Sequence, residues 1–101
     1  MDIKRLQKEV NVRWENQEAN PCHGSDSDHA LLHMTKALGK IASAVNDAEH
    51  EHRDPRSDEI DKYLADLVIC AARFACNTVD LETACIARLA EKFPVLTSSK
   101  K

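Results

Sequence analysis

A chain of 101 residues is long enough for one domain around one modest core. Its 43% hydrophobic and 31% charged residues match an ordinary soluble globular protein. The net charge of -3 gives no general attraction to nucleic acid or to an anionic membrane, and no apolar run approaches the ~20 residues of a bilayer span.

Gly (2) and Pro (3) are too scarce for the many turns of an all-β fold. The composition therefore predicts an all-α chain. With aromatics at only 4%, its core must be built from Leu, Ile, Val and Ala. In chain order, Ile3, Leu6, Val10 and Trp14 recur at three- and four-residue steps, predicting a helix over 2–18 with one apolar face. The segment ANPCHGSDSD (19–28) is a loop by composition, and Ser25, Asp26, Ser27 and Asp28 are candidate N-caps. A second helix is predicted over 28–48, where Leu31, Met34, Leu38, Ile41 and Val45 form a heptad seam. The polar stretch 46–58 contains Pro55 and reads as a loop, with Asp54 or Ser57 as the next cap. Ile60, Leu64, Leu67, Ala71 and Phe74 form a second seam on a helix over 56–77, and two such seams joined by a short loop should pack as an antiparallel pair. Asp80 should cap a fourth helix carrying Leu81, Cys85 and Leu89, which Phe93-Pro94 ends. The domain is expected to span 1–96, with 97–101 a frayed tail.

The N-terminus MDIKRLQKEV lacks an apolar signal segment, so the cytoplasm is the expected compartment. Cys22, Cys70, Cys76 and Cys85 form no C-x-x-C pair and are expected to be reduced thiols. Cys70 and Cys76, six residues apart on one helix, face different directions and make a poor nucleophile or redox pair. Cys22, His23, His29 and His33 are ligand types for zinc but match no tight spacing, and Glu49 to His52 read as a solvated loop end.

Two polar stripes bear chemistry. His29, His33, Lys36 and Lys40 lie on one helix face opposite the leucine seam; this is a plain solvated face, a vestigial active-site face or dimer surface, or a phosphate site using the two lysines. Glu59, Tyr63, Asp66 and Cys70 form a matching stripe on the third helix.

The order of elements, with the stretches LLHMTKALGKIASAV, YLADLVICAARFA and VDLETACIARLAEKFPV and more loosely Trp14, resembles the MazG-like all-α nucleoside triphosphate pyrophosphohydrolases over most of residues 10–95. The resemblance implies a four-helix bundle unit built on an antiparallel hairpin and completed by oligomerisation, with the protein itself as partner. Leu32, Val68 and Ile86, off the main stripes, would then need cover. It also implies an acidic signature, Glu-Glu-x-x-Glu then Glu-x-x-Asp, holding Mg²⁺ against the triphosphate.

On this chain those positions are Lys36, Ala37, Lys40, Tyr63 and Asp66, and Asp66 alone keeps the residue type. Two ammonium groups ~5 Å from a divalent cation, at an effective dielectric of ~20, would each cost roughly 6–7 kcal/mol before solvent screening. No cofactor is therefore expected. The leading expectation is a homologue that has lost Mg²⁺-dependent hydrolysis and persists as an oligomeric binding or interaction protein, its lysines filling the cation position and pairing with Asp66. The alternatives are an active enzyme with a rearranged Mg²⁺ site using Glu59, Asp66 and acids such as Glu49, Glu51 and Asp54, or a non-hydrolysing nucleotide or phosphate binder using Lys36 and Lys40.

Overall fold

The computed structural model describes residues 1–18, 25–57 and 60–94. Over these the chain forms α1 (Ile3–Glu18), α2 (Ser25–His50), α3 (Asp61–Ala75) and α4 (Leu81–Lys92), with a 3₁₀ turn at Pro55–Ser57 and no strand among the described residues. No helix among them is long and apolar enough to cross a membrane.

The second helix is longer than the sequence predicts. It starts at Ser25, so the expected caps at 25–28 are helical residues whose side chains lie outside the description. It runs on to His50 and stops in a Schellman motif: the amide of Arg53 donates to the Ala48 carbonyl (3.0 Å) and that of His52 to the Glu49 carbonyl (3.3 Å). His52 takes the left-handed position at φ 56° that glycine would occupy at less cost.

The third helix is shorter than predicted. Pro55 fixes its own φ and opens the 3₁₀ turn, where Asp54 Oδ1 accepts from the Arg56 amide (2.9 Å). Asp54 thus caps that turn instead of α3. The residue before α3 is Ile60, which supplies no side-chain cap.

Ten residues separate α2 from α3, and the two share the most extensive packing in the molecule, so they form the antiparallel hairpin. They pack through only part of their predicted seams: Met34 and Ile41 on α2 and Leu67 and Ala71 on α3 are half-buried. Among the described residues of α2 the buried ones are Ala30, Ala37 and Ala48, whereas Leu31 (45%), Leu38 (58%) and Val45 (43%) remain exposed. Ile60 before α3 is buried, as are Cys70, Ala72, Arg73 and Ala75 on it, while Leu64 and Phe74 are exposed. At about 100° per residue Met34 and Ile41 lie beside the alanine row, so the contact takes one edge of the seam and leaves Leu31, Leu38 and Val45 outside it.

The interior between α1 and α3 is polar. The buried face of α1 presents Gln7, Val10 and Asn11, and Ile3 lies outside it. Gln7 Nε2 donates to the carbonyls of Cys76 (2.8 Å) and Val79 (2.6 Å), and the Leu81 amide donates to Gln7 Oε1 (3.2 Å). One side chain thereby holds the α3–α4 connection. Asn11 Nδ2 donates to the Gln7 (2.9 Å), Ala72 (3.2 Å) and Cys76 (3.2 Å) carbonyls, and its Oδ1 accepts from Arg73 Nη1 (3.1 Å). Backbone carbonyls at the end of α3 that would otherwise be orphaned are satisfied this way.

Cys76, at φ 58°, is disulfide-bonded, which corrects the expectation that all four cysteines are reduced; Cys70 and Cys85 are free thiols, and Cys22 lies outside the described residues.

As the sequence predicts, Asp80 caps α4: its Oδ1 accepts from the Thr83 amide (3.2 Å). Hydrogen bonds from the Thr83 backbone and side chain hold the Asp80 carboxyl below its ordinary value of 3.8, aided by the charge of Lys4, whose Nζ is 3.9 Å away. A carboxyl with a lowered folded pKa stabilises the fold fully above its unfolded pKa and loses that contribution as pH falls through the folded value. Asp80→Asn is therefore expected to keep the cap and flatten part of the acid limb of the melting curve below about pH 4. Asp80→Ala is expected to lose stability at neutral pH as well. Melts of the wild type and the two variants across the acid range check this, and an acid limb of Asp80→Asn identical to that of the wild type contradicts it.

Helix α4 itself has no buried residue, and Ile86, Leu89 and Phe93 are exposed along it. Gly39 lies inside α2 with open space where a Cβ would go. Gly39→Ala is expected to raise stability by about 0.5–1 kcal/mol in urea unfolding, since it removes backbone entropy without a clash.

Candidate functional site

The face of α2 that carries His33, Lys36 and Lys40 looks across to Tyr63, Asp66 and Cys70 on α3, and Trp14 of α1 closes one side. The result is an open cleft of about 420 Å³, to which Ala37 and Ile69 also contribute. Antiparallel pairing explains the convergence: on both helices these residues lie to the same side of the α2–α3 contact.

All five positions onto which the sequence resemblance would place the acidic signature, Lys36, Ala37, Lys40, Tyr63 and Asp66, line this one cleft. Their environments differ. Lys36, Lys40 and Asp66 are exposed, Tyr63 is half-buried, and Ala37 is buried in the helix–helix contact. Among the described residues no ion pair includes Lys36, Lys40 or Asp66, so the expected lysine–Asp66 pair does not form within the chain. Lys62 lies 5.3 Å from the centre of the Tyr63 ring and holds it from the solvent side.

Cys70 is buried at the floor, and burial, followed by the charge of Asp66, pushes its thiol up from the usual value. A thiol kept protonated is a poor nucleophile, so the cleft contains no activated sulfur.

The donor set does not suit Mg²⁺, which takes hard oxygen ligands: the cleft offers two ammonium groups, an imidazole, a phenol and one carboxylate. Among the described residues no group of three or more His, Cys, Asp or Glu could hold a metal ion. Glu49, Glu51 and Asp54 do not line the cleft; Glu51 pairs with Arg53 (2.7 Å) and Asp54 with Arg56 (3.3 Å). Glu59, Cys22 and His23 lie outside the described residues. Of the zinc candidates, His29 and His33 remain; their rings meet edge to face, centroids 4.9 Å apart, on the exposed side of α2.

Sequence reasoning missed the support beneath the cleft. Arg73 is fully buried, its guanidinium 5.4 Å from the centre of the Trp14 ring, 3.1 Å from Asn11 Oδ1 and 3.6 Å from Glu15 Oε2. It fixes the indole that walls the cleft, whose buried Nε1 meets no acceptor. A detectable signal was the placement of Gln7 and Asn11 on the same stripe as Val10 and Trp14. Polar residues on an apolar face call for a buried partner.

Fold and site together define an all-helical bundle unit with an open, cation-bearing cleft. No family model matches the chain, and no curated protein and no solved structure matches it.

Proposed function

We propose that the chain is a MazG-like scaffold that has lost Mg²⁺-dependent hydrolysis of nucleoside triphosphates and is retained as an oligomeric binding protein. One observation carries this reading: the positions of the acidic signature share a single cleft, and that cleft holds two ammonium groups and one carboxylate. Cation–cation repulsion then opposes the metal that hydrolysis in this family requires.

A second reading, a non-hydrolysing nucleotide or phosphate binder, draws on the same cleft, because Lys36 and Lys40 stand beside the half-buried rings of Trp14 and Tyr63. An active enzyme with a rearranged site has the least support, since Asp66 is the one described acid lining the cleft. A cytoplasmic location belongs to the main proposal, and the disulfide at Cys76 weighs against it, because structural disulfides are rare in reducing compartments.

The test combines pyrophosphate release from mixed nucleoside triphosphates plus Mg²⁺ or Mn²⁺ with a thermal shift and the fluorescence of Trp14, the chain's one tryptophan. The proposal expects no turnover and no metal-dependent shift. Turnover abolished by Asp66→Asn would overturn it in favour of the rearranged enzyme. A nucleotide-dependent change in Trp14 emission without turnover selects the second reading.

A further inference from the structure

Trp14 and Ile69 line two hollows, and the two differ in chemistry. One is the cleft that holds Lys36, Lys40 and Asp66. The other, of about 280 Å³, lies on the α1 side, where Met1, Leu6, Glu9, Val10 and Arg13 join the two shared residues. Its walls are largely hydrocarbon, and its two charged residues neutralise each other, with Arg13 Nη2 3.3 Å from Glu9 Oε1. Leu6, Val10 and Trp14 follow at four-residue steps on α1, so this apolar hollow runs about 12 Å along the helix at 1.5 Å per residue. The edge between the hollows lies at the surface: Ile69 is 37% exposed and Trp14 is half-buried. A flexible chain can therefore cross from one to the other without parting the helices.

Charge selects what sits at the other end of that chain. Lys36 and Lys40 are exposed and belong to no ion pair among the described residues. Set against Asp66 they leave one net positive charge in the cleft, and His33 adds to it on protonation. A head group with a single negative charge matches this balance, and ammonium groups hold carboxylates through charge-assisted hydrogen bonds. A triphosphate brings several negative charges, which Asp66 opposes.

We propose that the two hollows form one binding site for an amphipathic carboxylate. Its head lies at Lys36 and Lys40, and its medium-length alkyl chain passes over Trp14 and Ile69 into the hollow of Leu6 and Val10. Burial of the chain supplies the affinity, and the lysines set the orientation. This names the ligand class of the binding protein proposed above and rests on that reading.

The experiment titrates the full chain, without metal, with decanoate, and reads Trp14 emission and calorimetric heat. Saturable binding is expected, about a hundredfold or more tighter than that of butyrate, which keeps the head and loses most of the tail. Decyltrimethylammonium, with the tail and the opposite charge, should not compete. Lys36→Met/Lys40→Met is expected to weaken decanoate binding by about tenfold or more with its helical circular dichroism retained. Ile69→Asn should weaken decanoate and leave butyrate unchanged. Decanoate that gives no saturable signal, binds no better than butyrate, is displaced by decyltrimethylammonium, or is held as well by either folded variant overturns the site. Should a variant unfold, the three ligands on the wild type decide. ATP that binds more tightly than decanoate overturns the site in favour of a nucleotide. Pyrophosphate release from nucleoside triphosphates with Mg²⁺ overturns the parent reading and this site with it; failure of decanoate without such turnover overturns this site alone.

Discussion

Arg73→Ala is expected to destabilise the protein by about 3–5 kcal/mol, the cost of emptying a fully buried site and leaving a buried amide oxygen without its donor. The guanidinium is fully buried and does three things at once: it donates to Asn11, pairs with Glu15 and lies 5.4 Å from the centre of the Trp14 ring. Its loss leaves a cavity and strands the Asn11 amide oxygen, while the Glu15 carboxylate, 40% exposed, can turn to water. Arg73→Lys is expected to recover only part of the loss, because one ammonium can stand in for Nη1, which makes both contacts, but cannot fill the rest of the buried guanidinium's place beside the indole. In a domain of about 100 residues the alanine change corresponds to a fall in Tm on the order of 20 °C. Urea unfolding followed by Trp14 fluorescence measures it directly. A loss below about 1 kcal/mol would mean that the three contacts do not depend on one another and that Trp14 is held by its apolar neighbours. The consequence reaches the cleft, because the residue that holds its wall is not itself in it.

How much of this was legible in the sequence depends on which interaction decides each feature. The all-α class, the existence of four helices and the Asp80 cap are local matters, set by periodicity and by one side chain accepting from one amide. The buried face of the hairpin was not local. The periodicity that marked Leu31, Leu38 and Val45 as a seam is real, but a one-dimensional pattern cannot tell which of two adjacent stripes meets the neighbouring helix. Ala30, Ala37 and Ala48 are buried together with the near edge of the seam, Met34 and Ile41 half-buried beside them, and which edge is chosen is a property of the pair of helices. Helix boundaries slipped for similar reasons: Ser57 looks like a cap until Pro55 commits the chain to a 3₁₀ turn first. The cleft was read more fully than the core, since residues four apart on each helix necessarily share a face and antiparallel pairing brings those faces together. Arg73 was hidden because arginine in a helix usually points to water; its burial follows from Asn11 and Glu15, which lie 62 and 58 positions away in the chain.

The triple variant Lys36→Glu/Lys40→Glu/Tyr63→Glu is expected to bind Mg²⁺ where the wild type does not. With Asp66 it would line the cleft with four carboxylates. Lys36 and Lys40 are exposed and Tyr63 is half-buried, so the packing beneath them should survive the exchange. Ala37 is best left alone: it is 6% exposed in the contact between α2 and α3, and a carboxylate there would be buried without a partner. Removing one ammonium at ~5 Å from a divalent ion relieves roughly 6–7 kcal/mol at an effective dielectric of ~20, and even if solvent screens away about two-thirds of that, more than tenfold in affinity remains per lysine. Calorimetric titration should give saturable heat with Mg²⁺, and tighter binding with Mn²⁺, which takes the same oxygen ligands more strongly. The two wild-type lysines, unpaired with Asp66 within the chain, would then be identified as the groups that exclude the metal by their charge alone. A folded triple variant that gives no heat with either ion would mean that the cleft does not descend from a metal site, and the correspondence of Lys36, Ala37, Lys40, Tyr63 and Asp66 to the acidic signature would fall with it.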